Sequence, residues 1–349
     1  MSKPSSGKRL IDALTDRPVD RPPFWFMRQA GRYLPEYRRI RSQVGDFLEM
    51  CYTPSAAAEV TLQPIRRYGM DAAILFADIL LIPDALGQKL EYREGEGPVL
   101  DPIRDGATLA ALDPDAIHDR LAPVYETVER VAAALPDGTA LIGFAGSPWT
   151  VASYMVEGHG SKEFQETRLW ALRDPQGFGA LIDLLTEATI DYLGRQIEAG
   201  ADAVQLFDSW SGVLSPGQFD RWCTEPTRSI VGRLKRRYPD VPVIGFPRGA
   251  GAKTPEYAAA TGIDGVGIDT SMPPRWAAST LQSTVAVQGN LDPLAVVAGG
   301  RAMEDQARHV LEALSYGPFI FNLGHGIVPQ TPPEHVAALS ELIRNWHGG

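Results

Sequence analysis

Short apolar runs recur along this chain, separated by amphipathic segments of helical period, and this alternation limits the possible fold more than any other feature. The runs at 24–27, 72–76, 141–145, 203–207, 243–247, 265–269, 285–288 and 319–323 read as strands. Segments 54–68, 117–134, 178–199, 216–238, 303–316 and 333–346 read as helices. Alternating strands and helices imply a parallel sheet. Eight such units in 349 residues predict a single-domain α/β protein over 1–349, a somewhat distorted (β/α)8 TIM barrel rather than an open doubly wound sheet. The connection from 269 to 285 has room for only a small helix. The stretch from 80 to about 115 is rich in charge, Gly and Pro and falls outside the pattern, which predicts an excursion with a hairpin inserted after the second strand. Residues 1–9 are polar, lack the apolar core of a signal peptide, and predict a flexible start.

Charge narrows the partners. The chain carries 33 Lys and Arg against 43 Asp and Glu, a net charge of −10. That balance argues against nucleic acid or an anionic membrane surface as a partner. An anionic ligand would have to be held at short range by local arginines. No run approaches the ~20 apolar residues that span a bilayer. The two cysteines, Cys51 and Cys223, lie far apart and give no disulfide framework, which points to a reducing cytoplasm.

In a (β/α)8 barrel the chemistry collects where the strands end on their C-terminal side. After the first strand, Arg28 and Arg32 flank a turn containing Gly31, four residues apart, so one helical turn would set them on one side. Guanidinium forks suit carboxylates and phosphates; the plain alternative is a solvated basic turn running on into Arg38, Arg39 and Arg41. After the second strand, Asp78 lies inside an apolar run. Burying it unpaired is costly, so it needs donors or a cationic ligand; otherwise it caps a helix. After the third strand, Ser147 and Pro148 suit a helix start, which would favour anions, and Tyr154 follows about two turns in, facing the site or the core. After the fourth strand, Ser209 can hydrogen-bond a ligand but has no paired base and no nucleophile elbow. After the last strand, His325 sits between Gly324 and Gly326, exposed backbone terrain rather than a core position. The loop 248–254 lacks the spacing of a nucleotide-binding loop, and no His or Cys pattern reads as a metal site.

These residues carry a resemblance. PFWFMRQAGRYLPEY at 23–37 is similar to the N-terminal signature of the uroporphyrinogen decarboxylase family, and GFAGSPWT at 143–150 resembles its second signature. Segments 74–80, 205–215 and 322–326 look like further blocks of that family, in its order. The resemblance implies a (β/α)8 barrel, a homodimer, and no metal or organic cofactor. It implies a reaction as well: the four acetate side chains of the tetrapyrrole uroporphyrinogen III become methyl groups, giving coproporphyrinogen III and carbon dioxide on the route to haem and chlorophyll. It carries over Asp78, Arg28, Tyr154 and His325 as catalytic positions. The substrate-binding set it implies is Arg28, Gln29, Ala30, Gly31, Arg32, Asp78, Tyr154, Ser209 and His325. Ala77 stands where many relatives have Ser, and the loop 248–254 reads as local variation.

The residue chemistry agrees with this reading. Eight substrate carboxylates account for arginines in an acidic protein. One carboxylate can accept from the four pyrrole N–H groups that converge on the macrocycle centre, and Asp78 suits that role. Protonating a pyrrole carbon makes the ring its own electron sink, and a fixed carboxylate stabilises the cation. Arg28, Tyr154, His325 and a water held by Arg28 all remain open as proton donor. A methyltransferase of the same superfamily is the nearest rival and would need Cys and His ligands; a non-catalytic porphyrinogen carrier is the rival from another class.

Overall fold

The computed structural model describes residues 5–93 and 95–347. Seven parallel strands curl into one sheet: β1 (Ala72–Ile74), β4 (Ala140–Gly146), β5 (Ala203–Asp208), β6 (Val243–Pro247), β7 (Gly265–Gly267), β8 (Ala286–Leu291) and β9 (Phe319–Leu323), in that spatial order. Every residue of β4, β6, β8 and β9 is buried. Helices cover a parallel sheet on its outer face, so its strands read as continuous apolar runs, which is why they were visible in the sequence. A hairpin of β2 (Leu90–Arg93) and β3 (Gly97–Leu100) forms the expected excursion.

The expected first strand, 24–27, is where the structure departs from the reading. It makes one parallel bridge, Phe24 to Phe321, and no ladder. The reason lies in its donors. Only the Trp25 N–H bonds to the backbone of a neighbouring strand, at 3.3 Å from the Phe321 carbonyl. The Phe24 N–H goes to Asp71 Oδ2, the Phe26 N–H to Gln29 Oε1 and the Met27 N–H to Asn322 Oδ1. Pro22 and Pro23 offer no N–H upstream. The segment still closes the curled sheet. Phe321 N donates to the Pro23 carbonyl at 2.8 Å on one side, and Asp71 N to the Phe24 carbonyl at 3.0 Å on the other. It therefore fills the eighth position between β9 and β1. Inside, Trp25 Nε1 donates to Gln288 Oε1 at 2.9 Å and Gln288 Nε2 to Gln205 Oε1 at 3.0 Å, a fully buried polar chain across the barrel.

Two further expectations are modified. The helix read at 216–238 is interrupted by a wide π turn, Asp220–Thr224, between Pro216–Phe219 and Glu225–Arg237. Pro226 has no N–H for the usual bond one turn back, and the widened turn absorbs that loss. Residues 1–4 of the expected flexible start lie outside the described residues, but from Ser5 onward the segment is tied down. Ser5 Oγ donates to Asp12 at 2.6 Å, and Lys8 Nζ reaches Asp202 at 2.7 Å. The small helix expected between 269 and 285 is Pro274–Leu281. Among the described residues, no helix is long and apolar enough to cross a membrane, and both cysteines are buried free thiols.

Candidate active site

Arg28 leaves the closing segment in a left-handed backbone conformation, φ 60°. A non-glycine residue held there is strained by about a kcal/mol or more, a cost that clusters at functional sites. No helical turn joins Arg28 to Arg32; the next helix starts only at Pro35. The two arginines are therefore not stacked on one helix side, as their spacing suggested. Arg28 is exposed at the mouth, and its charge acts on Asp78, Tyr154 and His325. Arg32 stays exposed near Tyr37, its carbonyl accepting from Arg38 at 2.8 Å. Gln29 is fully buried and spent inside the loop: its amide donates to the Ala72 carbonyl at 3.2 Å and its oxygen accepts from Phe26 N. Its side chain is used in bracing the loop. Ala30 is half-buried. A Cβ on Gly31 would lie 3.1 Å from the Arg28 carbonyl, so the close approach there is within the loop itself.

Asp78 follows β1 and is half-buried at the mouth. Burial pushes its carboxyl up from the ordinary value; the nearby Tyr92 hydroxyl, the Leu80 N–H and Arg28 pull the other way. Oδ1 accepts from Leu80 N at 2.8 Å. That bond closes a local turn and is not the helix cap weighed for Asp78: the next helix, Leu81–Ala85, starts after Leu80 with no side-chain cap. Tyr92 comes from the inserted hairpin, a contribution the sequence did not disclose. Its ring packs on Phe47 at 4.8 Å, and Phe47 packs on Phe76, two residues before Asp78, at 5.7 Å.

Tyr154 lies on helix Pro148–Glu157 and packs edge-on to Trp210 at 6.1 Å. Burial raises its phenol, so it keeps its proton; Trp210 and Arg28 act to lower it and Asp78 to raise it. Ser147 does occupy the cap position with Pro148 next, but its hydroxyl makes no cap bond and is buried. The helix start is not an open anion site. Trp149 and Thr150 are fully buried and bind the 208–210 segment: Trp149 Nε1 to the Trp210 carbonyl at 3.1 Å, and Thr150 Oγ1 to Asp208 Oδ1 at 2.6 Å. Ser209, half-buried, is held between those two anchored neighbours.

Asp208 itself went unread in the sequence. It is fully buried, and its second oxygen has no partner beyond the nearby Cys223 thiol. Burial raises it from 3.8 to about 6, with Thr150 and Cys223 opposing. The folded chain therefore holds this proton more tightly than the unfolded chain between those two values. Its contribution favours folding at low pH and is lost as pH rises through about 6, on the order of 3 kcal/mol over the whole interval. Asp208→Asn removes this titration and keeps an acceptor for Thr150. The Tm of the variant minus that of the wild type is expected to be larger at pH 8 than at pH 4; a difference independent of pH would count against a buried, protonated Asp208.

His325 is half-buried, and its flanking glycines explain its setting. A Cβ at Gly324 would lie 2.4 Å from Thr270 N, and one at Gly326 would lie 2.4 Å from Arg28 Cδ. At Gly324 the wall is backbone and only glycine fits; at Gly326 it is the flexible stem of Arg28. Burial lowers His325 to about 4, helped by Arg28 and Arg248 and opposed by Asp269. The imidazole is neutral at neutral pH. The structure thus brings Arg28, Asp78, Tyr154 and His325 together, sets Ser209 beside Tyr154's neighbour Trp210, and leaves Arg32 at the rim. Among the described residues, no group of three or more His, Cys, Asp or Glu is placed to hold a metal ion.

Comparison with known proteins adds a family. A model described as uroporphyrinogen decarboxylase (URO-D) matches residues 5–346. A uroporphyrinogen decarboxylase of Rhodospirillum rubrum is 54% identical over 99% of this chain and 99% of its own length. One from Sphingopyxis alaskensis is 57% identical over 97% of this chain and 99% of its own. Among solved structures, a methyltransferase from Methanosarcina mazei superposes with a TM-score of 0.81 at 20% identity, covering 96% of this chain and 97% of that one. A B12-independent methionine synthase from Shewanella gives a TM-score of 0.56 at 10% identity, covering 83% and 87%. At those identities the two structures speak to the barrel fold alone.

Proposed function

This chain belongs to the uroporphyrinogen decarboxylase family and is a uroporphyrinogen decarboxylase of porphyrin biosynthesis, and we propose that it binds uroporphyrinogen III over Asp78 with Arg28 clamping a substrate carboxylate. The observation that carries this reading is the half-buried Asp78 carboxylate at the barrel mouth, with one oxygen taken by Leu80 N and with Arg28 and Tyr154 around it. Four pyrrole N–H donors favour the charged form of a buried carboxylate, offsetting its desolvation. Protonating the pyrrole α-carbon beside the acetate-bearing carbon makes the ring cationic. The bond between the acetate methylene and its carboxylate then breaks, its electron pair forms an exocyclic C=CH2 bond that neutralises the ring, and carbon dioxide leaves. A proton added to the methylene and the ring proton released from the α-carbon give the methyl-bearing pyrrole. Asp78 stabilises the cationic stage. This route draws its electron sink from the substrate and asks for no metal or organic cofactor.

Tyr154 and a water held by Arg28 both carry protons at neutral pH, whereas Arg28 is itself a poor acid. His325, neutral in the free protein, serves as a hydrogen-bonding group unless substrate carboxylates raise it. Ser209 offers a hydroxyl to a substrate carboxylate, and Arg32 meets the outer carboxylates from the rim. We also assign a cytoplasmic homodimer, on the family resemblance; sedimentation should show twice the chain mass, and a monomer would remove that part. Coproporphyrinogen III formed from uroporphyrinogen III, with four carbon dioxide molecules per macrocycle, is the test of substrate and reaction; no product from folded protein would overturn both.

A further inference from the structure

The end of β6 carries a residue that the sequence reading set aside, Arg248. Around the barrel the positions run closing segment, β1, β4, β5, β6, β7, β8, β9, so β6 is the fifth of eight and lies across the mouth from the segment that ends in Arg28. Arg248 emerges at the same C-terminal rim as Asp78, Ser209 and His325. Its backbone is fixed, with N donating to the Asp208 carbonyl at 3.1 Å and O accepting from Ser211 Oγ at 3.0 Å. Its guanidinium is half-exposed and makes no hydrogen bond or ion pair among the described residues. Its charge is felt by Asp269, whose oxygens already accept from Gly249 N at 2.6 Å, Ser271 N at 2.8 Å and Ser271 Oγ at 2.5 Å. Arg248 nonetheless lies close enough to His325 for the two arginines to act on that one imidazole from opposite walls.

We propose that Arg248 is a third arginine of the substrate site and holds a macrocycle carboxylate on the wall facing Arg28. A tetrapyrrole bears carboxylates around its whole rim, while Arg28 and Arg32 both belong to one loop and cover one side. A cation on the far wall, tethered by its backbone and with no hydrogen bond from its side chain, supplies the missing contact. The two forks on opposite walls would also set the rotation of the ring over Asp78. The inference rests on the uroporphyrinogen reading of the site.

The test compares wild type, Arg248→Gln and Arg248→Lys in anaerobic turnover. Losing a charge-assisted carboxylate contact should raise KM about 10–100-fold in Arg248→Gln, with a smaller change in kcat. Arg248→Lys keeps the charge without the fork and should fall between the two. Imidazole NMR of the free protein adds a readout: His325 should titrate at higher pH in Arg248→Gln. A KM within about twofold of wild type in both variants overturns the proposal. If Arg248→Gln does not fold, Arg248→Lys alone decides, since a wild-type KM there removes the fork. Wild-type turnover in the same assay separates this outcome from a failure of the substrate reading.

Discussion

Replacing Asp78 by asparagine is expected to lower kcat by about 10²–10³-fold, the range seen when one preorganised electrostatic partner of a transition state is removed. The substitution is close to isosteric. Its carbonyl oxygen can keep the bond from Leu80 N, so the turn after β1 should persist and Tm should change little. What is lost is the charge. What is added is an NH2 group that points donors at a ring centre already full of pyrrole N–H donors. Steady-state turnover of uroporphyrinogen III with a thermal melt of each protein checks both halves. A variant with near-wild-type kcat would remove Asp78 from the chemistry, and a large drop in Tm would make it a structural residue instead.

Arg28→Lys is expected to lower kcat/KM by about 100-fold, on the order of the 3 kcal/mol assigned to a strong hydrogen bond to a charged group. Lysine meets the same cost at φ 60°, so the loop backbone is matched and the comparison isolates the guanidinium fork. A second variant reaches the same side chain from outside. Gly326→Ala would set a methyl group 2.4 Å from Arg28 Cδ and 2.6 Å from Cγ, displacing the arginine stem. Because that stem is flexible and the guanidinium is at the mouth, kcat/KM should fall while Tm holds. Full activity in Arg28→Lys would mean that a point charge suffices. Full activity in Gly326→Ala would mean that the arginine's seat over the glycine is not needed.

Much of the barrel was legible because a parallel sheet buries both faces of its strands, and such strands are continuous apolar runs. The closing segment 24–27 has the same apolar composition but not the same bonding. Its donors are captured by the side chains of Asp71, Gln29 and Asn322, and side chains from distant positions leave no periodic trace. Asp78, Arg28 and His325 were picked out just past strand ends, and Tyr154 about two turns into the helix after β4, because the barrel gathers strand ends at one mouth. Gln29 shows the limit of that rule: it lies in the right loop but is turned inward to brace it. Tyr92 arrives from an inserted hairpin whose docking no local pattern encodes. Asp208 and Arg248 were legible as types and positions. What the sequence withheld was that one is sealed in and the other left with no hydrogen bond from its side chain, because burial and partnering are settled only by packing.

The most direct measurement is an anaerobic incubation of metal-stripped protein with uroporphyrinogen III, wild type beside Asp78→Asn, with products oxidised and separated by carboxylate number. The account predicts stepwise passage from eight carboxylates to four in the wild type, one carbon dioxide per step, and bound but nearly unchanged substrate in Asp78→Asn. Equal rates in the two proteins, or turnover by the wild type only after metal is restored, would contradict a mechanism in which the ring is the electron sink and Asp78 its counter-charge.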